Sequence, residues 1–123
     1  MQKQLENVSV LVIEDEPIIA LDLQYLLEAS GAAPVTLEHA LEGARQRLAG
    51  PVLPDVVILD LVLGDTSSLP LAEELKHRKV PFLFLTGDAI SIPSVFSDVL
   101  AIQKPYAVDQ LITVVGKVAN NHK

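Results

Sequence analysis

Short, wholly apolar runs alternate along this chain with longer stretches whose apolar residues return every three or four positions. Val8 to Ile13, Asp55 to Asp60 entered through Pro54, and Val80 to Thr86 read as strands buried on both faces of a parallel sheet. Pro34 to Leu37 and Val99 to Gln103 are shorter, weaker strand candidates. Between them run helical stripes: Ile19, Leu23, Leu26 and Leu27 after Pro17 and before Gly31; Leu37, Leu41, Ala44 and Leu48, ended by Gly50-Pro51; Leu71, Ala72 and Leu75, followed by basic residues Lys76 to Lys79 that suit a helix C-terminus. Val108, Leu111, Ile112, Val115 and Val118 form the clearest stripe and close the domain.

Strand and helix in strict alternation predict an α/β fold, a doubly wound five-stranded parallel sheet with helices on both faces; with the expected strand order 2-1-3-4-5, the winding reverses between strands one and three. The fourth crossover is the exception. Pro93 between Ser91 and Ser94 predicts a short or irregular helix across Asp88 to Asp98. One domain is expected over residues 6–119, with residues 1–5 and 120–123 as loose ends.

Composition narrows the function. No cysteine is present, which removes disulfides and thiolate metal sites and suits a reducing compartment; the cytoplasm is the expected location. No apolar stretch approaches a membrane span, and the formal charge of -7 repels a phosphate backbone, so neither membrane nor nucleic acid is an expected partner.

Candidate chemistry sits where the strands end. Glu14 and Asp15 follow the first, Asp60 ends the third, Thr86 ends the fourth, and Lys104-Pro105 follows the fifth. In a doubly wound sheet these carboxyl ends form one crevice, and three carboxylates there suit a divalent cation and a phosphate. Taken singly, each residue has a plainer reading: Glu14 or Asp15 near a helix start, Asp60 in a solvated loop, Thr86 chosen for β propensity, Lys104 on the surface. Four separate coincidences are then needed where one site suffices. His39 and His77 fall on expected helix surfaces and His122 in the tail, so none is assigned a role.

In order and spacing, Glu14-Asp15, Asp60, Thr86-Gly87 and Lys104-Pro105 resemble the receiver domain of two-component response regulators, over about Val8 to Ala119. The resemblance implies a flavodoxin-like fold and a phosphoryl group taken by Asp60 from a phosphohistidine on a histidine kinase or histidine phosphotransfer protein. It further implies Mg²⁺ held by Glu14, Asp15, Asp60 and the Val62 backbone carbonyl, with Lys104, Thr86 and Gly87 at the phosphoryl group and a cis bond before Pro105. Many receivers carry an aromatic three residues before the lysine; here that position is Ala101. Phe84-Leu85-Thr86-Gly87 with Tyr106 resembles a subset without it, and Asp88 departs from the glycine or aromatic common at its position. With no output domain after residue 123, the expectation is a stand-alone receiver that signals through a downstream protein and is not a conventional enzyme. Two alternatives stand beside it: a phosphorylation-independent interaction module on the same fold, and an aspartyl-nucleophile phosphatase. The latter needs an acid two residues after its nucleophile, where this chain has Val62 or Pro17.

Overall fold

The structure is a computed structural model that describes residues 3–87 and 92–120. Its main sheet contains β1 (Val10–Ile13), β2 (Val35–Glu38), β3 (Val56–Asp60), β6 (Phe82–Thr86) and β7 (Ala101–Gln103), all parallel, in the order β2-β1-β3-β6-β7. Among strands of this sheet, that is the expected 2-1-3-4-5 order. The three central strands are apolar because both their faces are covered, and β1, β3 and β6 are buried along their whole lengths.

Two cores flank the sheet. Helices α1 (Pro17–Ala29) and α4 (Val108–Asn120) cover one face through Leu23, Leu27, Leu111 and Val115, against Val10, Val12, Ile58 and Leu83. Helices α2 (Leu41–Leu48) and α3 (Leu69–Arg78) cover the other through Ala44, Leu48, Leu71 and Leu75, against Leu11, Ile13, Leu59 and Phe84. Alternate residues of each strand thus serve opposite cores, as the two-residue period of a strand requires. Pro17 opens α1 at its first position, and Gly31 follows its end at φ +101°, where a side chain would be strained and would meet the backbone of Glu6.

The structure departs from the sequence reading in five places, one being that Asn120, expected in a loose end, is the last residue of α4, while residues 121–123 of that end lie outside the described residues. Residues 1–5 are not uniformly loose: Leu5 is fully buried in the α1/α4 core and its amide bonds the Ser30 carbonyl, so this side chain anchors the segment. Leu37 belongs to β2 rather than to the stripe of α2, which starts at Leu41. His39 lies between β2 and α2, not on a helix. Finally, β3 is followed by a small antiparallel hairpin, β4 (Val62–Leu63) and β5 (Thr66–Ser67), which the sequence reading does not contain.

Among the described residues, the helical part of the fourth crossover is short, as the proline predicts. Among its described residues the only helical piece is a 3₁₀ turn at Ser94–Phe96, while Asp88 and Ser91 lie outside the described residues. Phe96 packs edge-on against both Phe82 and Phe84, with ring centroids 6.4 and 5.4 Å away. Lys76 ties this turn to α3, its ammonium bonding the Val95 carbonyl at 2.6 Å and Asp98 at 3.0 Å above the Phe96 ring. Ala101, beside Phe84 in the sheet, packs against the same aromatic cluster.

Candidate acidic site at the strand ends

All five polar residues singled out in the sequence meet at the carboxyl edge of the sheet. Register explains this: β1 and β3 run side by side to Ile13 and Leu59, so Glu14-Asp15 and Asp60 leave adjacent strands at the same level. Glu14, Asp15 and Asp60 bring one oxygen each to within 4.8 Å of one another. Glu14 is wholly buried, Asp60 nearly so, and Asp15 half-buried.

Lys104 bridges two of the acids. Its ammonium lies 2.9 Å from Glu14 Oε1 and 3.1 Å from Asp60 Oδ2. Burial opposes its charge, but the two carboxylates outweigh that cost and raise its pKa. Its backbone is held too, the Lys104 amide bonding the Thr86 carbonyl at 2.8 Å, and the Lys104–Pro105 peptide bond is cis. Thr86 is buried at the end of β6, whereas Gly87 is exposed with nothing within 4 Å of where a Cβ would stand.

The carboxylates are further oriented by backbone amides. Glu16 donates to Glu14 Oε2 at 3.0 Å, Val62 to Asp60 Oδ1 at 3.2 Å, and Gly64 to Asp15 Oδ2 at 2.7 Å. Glu14 Oε1 has no partner in hydrogen-bond geometry despite its proximity to Lys104. Burial, more than the amide and Lys104 can offset, pushes the Glu14 carboxyl up to about 7. A fully buried carboxylate oxygen without an aligned donor, beside two further carboxylates, is a donor set that could hold a cation. With Glu14 ionised, the three carboxylates and one ammonium carry two net negative charges, the charge of one divalent ion with opposite sign.

Two neighbours were not singled out by sequence. His39 donates from Nδ1 to the Glu14 carbonyl at 3.3 Å, a contact made possible by its loop position, which no periodicity signals. Gly64 sits at the hairpin turn with φ +63°. The dipeptide Gly64-Asp65 between two short β-prone pairs is the turn signal that could have revealed it. Tyr106 bonds Asp22 of α1 at 2.6 Å, and burial together with that carboxylate raises its phenol pKa.

No family model matches the chain. Individual proteins do. It is 41% identical over 84 residues to the two-component response regulator PprB of Pseudomonas aeruginosa, covering 64% of this chain and 30% of that protein. The solution structure of SdrG from Sphingomonas melonis Fr1 superposes with a TM-score of 0.75 at 36% identity, over 94% of this chain and 97% of that one. The receiver domain of Francisella response regulator 1452 gives a TM-score of 0.79 at 21% identity over 95% and 100% of the two chains, a likeness of fold. The chain belongs to the response-regulator receiver family of two-component signalling. It spans from under a third to just under half the length of the curated relatives it matches.

Proposed function

We propose that this chain is a phosphoacceptor: Asp60 takes a phosphoryl group from a phosphohistidine on a histidine kinase or histidine phosphotransfer protein, and the phosphorylated form is read by a protein partner. The observation that carries this reading is the enclosure of Asp60 by Glu14, Asp15 and Lys104 at one sheet edge.

The donor set fits Mg²⁺, with Glu14, Asp15, Asp60 and the Val62 carbonyl as its ligands from the chain. When bound, that ion would neutralise charge on the phosphoryl oxygens and on Asp60, lowering the repulsion between two anions. The residues supply the rest. Asp60 Oδ1 is aimed by the Val62 amide, leaving Oδ2, now paired with Lys104, as the attacking oxygen. Lys104 then exchanges a carboxylate for a phosphoryl oxygen as a compact point charge. The Thr86 hydroxyl supplies a bond that a phosphoryl oxygen accepts, and the backbone link from Thr86 to Lys104 makes the two move together. Bare Gly87 leaves the approach open.

A donor protein needs a place to dock. Ile18, Leu21 and Tyr25 are strongly exposed at helical spacing on α1, which begins beside Glu14 to Glu16, and such an apolar row next to the site suits a partner helix.

The test is transfer of labelled phosphate from a panel of autophosphorylated histidine kinases and phosphotransfer proteins. Label should reach the wild-type chain and not Asp60→Asn. Transfer to neither, or equally to both, would remove Asp60 from the role.

A further inference from the structure

The small β4–β5 hairpin does more than connect β3 to α3. One of its amides, Val62, reaches Asp60 Oδ1 at 3.2 Å, while another, Gly64, reaches Asp15 Oδ2 at 2.7 Å. Two carboxylates from different strands are therefore oriented by one tight backbone unit. Pairing of Val62 with Ser67 and Leu63 with Thr66 leaves only Gly64 and Asp65 in the turn, and Gly64 at φ +63° occupies its first central position. This is the position where a two-residue hairpin turn favours glycine. The hairpin is pinned at its base, where the buried Ser68 donates from Oγ to the Leu61 carbonyl at 2.8 Å and from its amide at 3.0 Å.

We propose that the β4–β5 hairpin is a template that sets the geometry of the cation site before any ion binds, with Gly64 as its positioning residue through the amide bonded to Asp15. This deepens the phosphoacceptor reading and rests on it. Without the two amides, Asp15 loses its hairpin donor and Asp60 keeps only Lys104, leaving two like charges less firmly oriented; with them, one oxygen of each carboxylate is fixed by the hairpin, while Asp60 Oδ2 faces Lys104. The template depends on conformation rather than on space. A Cβ at Gly64 would meet nothing nearer than Asp15 Oδ2 at 3.8 Å, so a methyl group fits, but an L residue at this φ is strained and the turn rearranges. Asparagine tolerates positive φ better and should largely preserve it.

The experiment uses amide NMR of the full chain in chelator and during titration with Mg²⁺. In chelator the Gly64 amide of the wild type should already exchange slowly and resonate downfield, as a bond to a carboxylate requires. Gly64→Ala should keep the dispersed spectrum of a folded protein yet bind Mg²⁺ about tenfold more weakly, and Gly64→Asn should fall between it and the wild type. A Gly64 amide that exchanges as fast as exposed amides without the ion would overturn the template whatever the variants do. Wild type and Gly64→Ala binding Mg²⁺ equally well would overturn it while leaving the phosphoacceptor reading intact. A wild type that does not bind Mg²⁺ at all would overturn both.

Discussion

Glu14 is the residue on which the electrostatics of the site turn. It is fully buried, and burial raises its pKa from an ordinary 4.5 to about 7. A carboxyl whose folded pKa exceeds its unfolded one binds more protons in the folded state between those values, so stability falls as pH rises from about 4.5 to about 7. The cation-free protein should therefore show a declining thermal midpoint over that window. Mg²⁺ should reverse the decline by favouring the ionised site, and Glu14→Gln should flatten the profile. A midpoint independent of pH in chelator would contradict the account of this residue.

At the scale of elements, the aromatic 3₁₀ turn of the fourth crossover carries its own weight in the core. Phe96 is almost completely buried against Phe82 and Phe84, so Phe96→Ala should cost about 3–5 kcal/mol in chemical denaturation. A loss below about 1 kcal/mol would mean that the turn does not hold this face. Helix α1 makes a different kind of prediction. Leu21→Lys, on its exposed row, should slow transfer from a phosphorylated protein donor by about tenfold or more while leaving labelling by a small-molecule donor unchanged. Equal effects on both donors would place the residue in the chemistry rather than in docking.

The elements also show what could be read in advance. The three central strands of the main sheet, and the polar residues at their ends, were legible because a strand buried on both faces is apolar throughout and its polar end residue stands out, whereas the partly buried edge strands β2 and β7 gave weaker signals. The β4–β5 hairpin was not, because Leu61-Val62-Leu63 continues the apolar run of β3 and each of its strands has only two residues. Leu5 looked like part of a polar tail, since one leucine has no period to reveal its burial. His39 was hidden for a related reason: Leu37 and Leu41 mimic one helical face across what is in fact a strand, a bend and a helix start.

For the molecule as a whole, sheet topology is the device that makes the site. Parallel strands in the order β2-β1-β3-β6-β7 release all their carboxyl ends on one edge, and winding reverses direction between β1 and β3, where Glu14, Asp15 and Asp60 converge. The two cores, packed by the four α-helices among the described residues, cover both faces of the sheet beneath that edge. The central claim is that Asp60 is a phosphoacceptor whose capture of a phosphoryl group depends on a divalent cation. Intact-mass spectrometry after incubation with a small-molecule phosphodonor tests it directly, with Mg²⁺ or with chelator, in wild type and Asp60→Asn. The account predicts a single phosphoryl adduct that requires Mg²⁺ and vanishes in the variant. An adduct that survives Asp60→Asn, or forms equally well in chelator, would contradict it.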